Sequence, residues 1–482
     1  MKAKKGALRR RPGSEDAYLG TAAVKAAHWG GAMLNLRTSI SALAVVAAAT
    51  TFASVSPANA TEGYAAHGFG ARSKALAGAG AADSRDATAA ALNPAGLVHV
   101  GNEIDMSVSV FSPRRGFETT APVGGRGFLP EGSFDSDRNY FFIPNLAWST
   151  RAFANPLFDV MAFTVVGNGG MNSSYSDIGP NPYCPGGANG LFCDGKLGVN
   201  LTQMILSVAM AKQIAPGVSV GIAPMMALQT IDVNGTRAFG MASVDGANIG
   251  GGTNDWSYGF GVRGGIEIEP MKGFRIGVSG TSPIWKDDFN HYKGLFANRG
   301  EFDIPPSLQA GIAVDVTPQL TLMLDYRRIW FSYSDSIGEP LQNIFGCPAF
   351  GGTSSSACFG GSNGPGFGWD DVDVIKFGLE WRRDEKLTLR AGYAWNTNPI
   401  GSEDVTLNLI APAVTQHHIT GGFEYDLGGG YHLEMAAMYS PQINVRGPNM
   451  FDPGQSIKID MWQFEGTVGI KYKFDEAAAP LK

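Results

Sequence analysis

The stretch "KLTLRAGYAW", residues 386–395, decides the fold. Leu387, Leu389, Ala391, Tyr393 and Trp395 fall on one face of an extended chain, and Thr388, Arg390, Gly392 and Ala394 on the other. Apolar and polar residues alternating with period 2 is the signature of a strand with two unlike faces. "HITGGFEYDL" repeats it with Ile419, Gly421, Phe423 and Tyr425 against Thr420, Gly422, Glu424 and Asp426. "YHLEMAAMY" does so again, with Tyr431, Leu433, Met435, Ala437 and Tyr439 on the apolar side.

Working outward, fourteen such bursts follow Gly101, at about 102–112, 139–149, 157–168, 199–212, 217–231, 254–267, 273–281, 308–316, 319–333, 372–381, 387–396, 416–427, 431–440 and 465–474. The connections alternate strictly. Long ones (113–138, 169–198, 232–253, 282–307, 334–371, 397–415 and 441–464) are separated by turns such as "PMK", "RRDEK" and "GGG". All long loops then gather at one end of the sheet, as in bacterial outer-membrane barrels, where short turns face the periplasm. Trp148, Tyr393, Trp395, Tyr425, Tyr439 and Tyr472 lie near strand ends, where aromatic girdles sit. Hydrocarbon tolerates no unpaired backbone N–H or C=O, so such a sheet must close. The expected fold is all-β, a 14-stranded antiparallel transmembrane barrel over residues 101–474, with a short tail at 475–482.

Composition agrees. Of 482 residues, 65 are Gly, only 17% are charged, and mean hydropathy is near zero, because lipid-facing and lumen-facing residues cancel. "SISALAVVAAATTFASV", Ser39 to Val55, follows Arg37 and precedes Ala58, Asn59 and Ala60. A basic flank, a short apolar core and a small-x-small ending read as a secretory signal peptide, residues 1–60, with Met33 as a candidate true start. That segment holds eight of the 37 basic and two of the 43 acidic residues, which leaves a mature chain with a net charge of −12. Nucleic acid is therefore not an expected partner. The cysteines fall in two close pairs in Gly/Pro/Asn-rich loops, Cys184 with Cys193 and Cys347 with Cys358. In an exported chain such pairs read as local disulfides, the other reading being four free thiols. No nearby spacing suggests zinc, and neither a metal nor an organic cofactor is expected.

Before the strands comes a run of small residues, "GARSKALAGAGAADSRDATAAALNPAGL". With "YKGLFANRGEFDIPPSLQAGIAV" (292–314) and "WDDVDVIKFGLEWRRDEKLTLRAGYAWNTNPI" (369–400), it resembles the FadL/TodX family of outer-membrane transporters for hydrophobic compounds, over roughly residues 62–474. The resemblance implies that residues 61–100 form a hatch, a small helical and loop plug inside the barrel. In its "NPA", Asn93 would turn the backbone, Pro94 fix it and Ala95 pack closely. It also implies passive uptake of long-chain fatty acids or related hydrocarbons. A loop groove would catch the ligand, an inner pocket hold it, and a kink in the third strand release it sideways into the membrane. An uptake channel specific for aromatic hydrocarbons is the alternative, and a general porin a more distant one. The chain would act as a monomer among lipid and lipopolysaccharide.

The loop 282–307 is apolar and aromatic, which makes Trp285, Phe289, Leu295, Phe296 and Phe302 the groove candidates; simple packing of the loop on itself is the other reading. Gly167, Gly169 and Gly170 end the third strand, and glycine in a strand marks a bulge or kink. Lys376, Glu380, Arg390, Glu424 and Glu434 point inward on this register. A cation there would suit a fatty-acid carboxylate. A salt-bridge network bracing wall and hatch is favoured, because adjacent strands carry both signs. No GxSxG stands on a strand-turn-helix and no HExxH occurs, so an enzyme is not expected.

Overall fold

A computed structural model describes residues 62–124 and 128–475. The expected signal peptide and most of the C-terminal tail lie outside the described residues. Fourteen strands follow one another around a closed antiparallel barrel: β1 (Glu103–Thr119), β2 (Phe141–Thr150), β3 (Val160–Gly169), β4 (Gly198–Ala215), β5 (Val218–Asn234), β6 (Asp255–Met271), β7 (Phe274–Thr281), β8 (Ser307–Asp315), β9 (Leu320–Ile329), β10 (Val372–Arg382), β11 (Leu387–Asn396), β12 (His417–Gly428), β13 (Tyr431–Asn449) and β14 (Asp452–Lys473). Each pairs with its neighbours in sequence. β14 returns to β1 from Glu103–Lys473 to Thr119–Ile457, which closes the cylinder. Two short ribbons, Gly132–Asp135 on β1 and Trp285–Lys286 on β6, decorate its outer end.

Burial is inverted relative to a water-soluble protein. Val108, Phe260, Leu324, Phe377, Ile419, Val468 and Ile470 are exposed on the outer wall, while Asp105, Gln203, Asp325, Lys376, Glu380 and Glu434 are buried inside. Alternation carries this along each strand, so the wall presents an apolar outer face to lipid. Tyr431 packs on Tyr472 near the short turns, and Tyr439 on Trp462 further out. Eight residues, about 27 Å of extended strand, separate the two tyrosines of β13. Tilt brings that close to the height of the apolar band that girdles flank, about 25 Å.

One expected loop is strand. Residues 441–464 do not form a long connection: β13 and β14 run on as a hairpin that turns at Met450 and Phe451, and β1 extends to Thr119 beside it. Pro441 and Pro448 lie within β13. Both sit at register shifts, between Ser440 and Ile443 and between Pro448 and Asn449, where a missing N–H costs no ladder bond. The alternation of Ile457, Ile459 and Met461, all buried, continues the strand period outward.

Residues 62–101 lie against the inner faces of the strands. They comprise the helix α1 (Gly70–Ala75) and two 3-10 turns, Ala87–Ala91 and Pro94–His99. Asp86 caps the first turn through Thr88 N and Asn93 caps the second through Ala95 N, with Pro94 as the first turn residue. The wall accommodates this segment through glycine. A Cβ at Gly221 would meet Ala95 N at 2.5 Å, at Gly422 Ala75 Cβ at 2.7 Å and at Gly378 Ala79 Cβ at 3.1 Å; one at Gly277 would collide with Ala81 O. Small residues on both sides therefore let backbone approach backbone around the circumference.

Gly277→Val is expected to unseat this segment while leaving the barrel assembled, at a cost of about 1–3 kcal/mol for overpacking. Planar-bilayer recordings should show larger ion currents than for the parent chain. Unchanged conductance with normal heat-modifiability on gels would contradict the tight fit.

Candidate functional site

The hatch divides the lumen into two chemically opposite compartments. Below it, at the end with the short turns, lies a polar cavity of about 700 Å³. Arg275, Glu267, Glu380, Arg390, Glu424 and Lys471 are among its lining residues. Above it, the upper strands and the outer loops share one apolar core that includes Tyr64, Met171, Phe289, Phe331, Trp369 and Ile459.

The charged compartment is a lattice of ion pairs between hatch and wall. Glu62 meets Lys376 at 2.7 Å and Arg327 at 2.8 Å. Arg72 meets Asp83 at 2.6 Å and Glu380 at 2.9 Å, and Asp83 meets Arg275 at 2.7 Å. Lys74 reaches Glu465. Arg390 pairs with Glu380 at 2.9 Å, Glu434 at 3.3 Å and Glu424, and Lys471 with Glu424 and Glu434 at 3.0 and 3.1 Å. Backbone joins in. Asp325 accepts from Gly80 N and Ala81 N, Thr420 donates to Ala75 O, and Asn93 Nδ2 donates to Ala81 O and Ile266 O. The lumen charges thus lie inside, and Lys376 and Arg390 are engaged by carboxylates.

The groove candidates are placed unevenly. Phe289, Leu295, Phe296 and Phe302 are buried, with Phe296 and Phe302 edge-on at 4.9 Å. They pack the loop on itself rather than line an open surface. Only Trp285 is exposed, its Nε1 donating to Tyr333 Oη at 3.0 Å. Beside them Lys286 Nζ sits 5.1 Å above the Phe289 ring, buried and without a hydrogen-bond partner. Burial pushes this loop amine down to about 7, against the opposing pull of Asp303 and Glu301. Disulfides Cys184–Cys193 and Cys347–Cys358 cinch two of the outer loops. Each closes a short loop, worth about 2–3 kcal/mol in the chain-entropy account. Tyr175 Oη and Ser173 Oγ tie the first of these loops to Leu409 O and Ile410 O.

Among the described residues, the ladder between neighbouring strands stops short where β2 meets β3. The β2–β3 ladder ends at Asn145–Val166, although β2 continues outward to Phe141. On the other side, β3 shifts register against β4 between Gly167 and Gly169. Beyond that point β3 turns to the hatch: Gly169 bridges Ala65, Gly170 N donates to Tyr64 O, and Ala66 N donates to Asn168 O. A Cβ on Gly169 would collide with Tyr64 O. Pro144, the residue of β2 next in line, has no N–H to offer β3. A cavity of about 20 Å³ adjoins the kink, lined by Phe111, Arg115, Gly170, Met171, Ala413 and Met461. Sequence reasoning singled out the glycines but not Pro144, nor the wall glycines that receive the hatch. Their signal was glycine recurring on lumen-facing positions.

Residues 45–440 match the model of the family described as outer membrane protein transport protein (OMPP1/FadL/TodX). Among solved structures, the P. putida toluene transporter TodX is 14% identical with a TM-score of 0.60, covering 85% of this chain and 99% of that one. A Pseudomonas aeruginosa FadL homologue is 13% identical with a TM-score of 0.60, covering 86% and 100%. The Ralstonia pickettii toluene transporter TbuX is 15% identical with a TM-score of 0.53, covering 85% and 99%. At these identities the likeness is one of fold. No curated protein matches the sequence.

Lys286 gives the outer loops a pH dependence of known sign. Its folded value lies below its ordinary one, so its protonated form opposes the loop fold fully below about 7, and stability rises with pH from there toward 10.5. NMR of ¹³C-dimethylated lysines should show one resonance titrating near 7, absent in Lys286→Met. A Lys286 resonance that titrates only above pH 10 would refute the burial argument.

Proposed function

Because the chain belongs to the OMPP1/FadL/TodX family of outer membrane transport proteins, we propose that it takes up hydrophobic small molecules, long-chain fatty acids or related hydrocarbons, by passive diffusion through its plugged barrel. The observation that carries this reading is the divided lumen. An apolar solute entering between the outer loops meets an apolar core, where each Å² kept from water is worth about 25 cal/mol. Further down it meets the hatch and then a cage of buried charge, which an apolar solute enters only at a cost. The broken β2–β3 ladder lies on the apolar side of that barrier and adjoins lipid, so it is the exit we assign, with Gly167, Gly169 and Gly170 forming the kink. Trp285 marks the mouth. Phe289, Leu295, Phe296 and Phe302 belong to the apolar core behind it.

An uptake channel specific for aromatic hydrocarbons is the second reading, favoured by one observation. Lys376, Arg390 and Lys471 already face carboxylates, which leaves them poorly suited to receive a ligand's carboxylate. A general porin fits less well, since the hatch fills the bore. We assign no catalytic role, consistent with a family of transport proteins. A closed ladder has no free edge to pair with a second copy, so the working unit is a monomer in lipid and lipopolysaccharide.

Uptake of radiolabelled oleate and toluene by cells carrying the protein tests the reading, alongside a chain lacking residues 62–97. Selective uptake by the intact chain, with ion leak on deletion, is expected. Uptake of neither, with large steady ion currents from the intact protein, would leave a porin. Arg390→Ala is expected to affect oleate and toluene alike; loss of oleate alone would make Arg390 a carboxylate ligand.

The exit has its own test. The pair Pro144→Cys with Gly167→Cys stands at the register position next after Asn145–Val166. Oxidised, it should lower uptake at least about tenfold, and reduction should restore it. Full uptake by the cross-linked barrel would place the exit elsewhere.

A further inference from the structure

We propose that Asp86, Asp105 and Glu434 form a site for one divalent cation of the calcium type, which pins the hatch to the barrel wall. The three residues come from three elements: the cap of the hatch turn Ala87–Ala91, the third residue of β1 and the fourth of β13. Each offers a carboxylate oxygen, these oxygens all lie within 4.8 Å of one another, and all three side chains are buried. A calcium ion bound at about 2.3–2.6 Å sets opposing ligand oxygens roughly 5 Å apart. The spacing is therefore that of one coordination shell.

A second observation, independent of the clustering, points to a ligand. Asp105 is 1% exposed and neither of its oxygens has a hydrogen-bond partner. Its register partner on β14 is Lys471, yet that amine goes to Glu424 and Glu434 instead. The other two carboxylates each have one oxygen committed and one left over. Asp86 Oδ1 accepts from Thr88 N at 3.0 Å and Oδ2 has no partner. Glu434 Oε1 takes Lys471 and Arg390, and Oε2 has no partner. The committed oxygens fix the carboxylates, and each residue brings one oxygen to the cluster. Burying several carboxylate oxygens with nothing to meet them is costly, and a hard cation meets all of them at once. An all-carboxylate donor set selects calcium or magnesium over softer metals. Calcium tolerates the irregular geometry of ligands drawn from three elements, whereas magnesium demands a near-ideal octahedron.

The test uses the full chain in detergent, stripped with EDTA and titrated with calcium chloride in a calorimeter, with magnesium chloride as the comparison arm. One saturable calcium per chain is expected. Loss of a direct ligand should weaken binding at least about 100-fold, in Asp105→Asn and in Asp86→Asn alike, while Asp404→Asn in an outer loop leaves it unchanged. Hydrogen exchange at residues 87–91 should slow when calcium is added. Absence of saturable binding of either metal would overturn the site. Equal affinity in both variants and the parent would overturn it too, as would a preference for magnesium over calcium. Asp86→Asn lies outside the barrel strands and carries the test if Asp105→Asn does not assemble.

Discussion

The structure depends on one constraint: no backbone N–H or C=O of the wall is left unpaired where it faces hydrocarbon. The register from Glu103–Lys473 to Thr119–Ile457 meets it by joining the first strand to the last. Closure then dictates the rest. A fourteen-stranded cylinder is wider than its own side chains can fill, so it either conducts water or holds a plug. Because every strand shows one face to lipid, the polar residues can only turn inward, and the plug must be one that polar walls can hold.

That accounts for the unusual chemistry around the hatch. Buried ion pairs add little net stability, since desolvation offsets most of their attraction. They do make one seating much better than any other, because a displaced hatch would take Glu62 from Lys376 and Arg72 from Glu380 in the interior. The wall glycines act in the same sense. Gly221, Gly277, Gly378 and Gly422 admit small residues at close range and leave no room for a shifted register. Charge and shape together hold a segment with little regular structure of its own.

Much of this was legible in the sequence. Period-two alternation located every barrel strand, because lipid and lumen impose opposite polarity on successive residues. It ended β13 at Ser440 and began β14 only at Glu465, whereas in the folded hairpin the pairing runs on past register shifts beside Pro441 and Pro448. The inward direction of Arg390 and Glu424 followed from the same period, but their partners on other strands did not. Partnership across more than 300 residues, as between Arg72 and Glu380, leaves no local mark. The aromatic loop illustrates the converse. Phe289, Phe296 and Phe302 were conspicuous as apolar residues, yet whether they face a ligand or each other depends on the loops above them, which no periodicity describes.

The kink in β3 shows how the constraint that closes the wall also opens it. A strand that leaves its neighbour must satisfy its backbone elsewhere, and β3 does so on the hatch. Gly170 N gives to Tyr64 O, and Asn168 O receives from Ala66 N. Hatch and wall break are therefore one hydrogen-bonded unit through residues 64–66. Tyr64 is also where the hatch meets the apolar core, its ring 5.2 Å from Phe331 and 5.9 Å from Trp369. Residues 64–66 therefore touch both the apolar core above the hatch and the wall break beside it, through rings on one side and backbone bonds on the other.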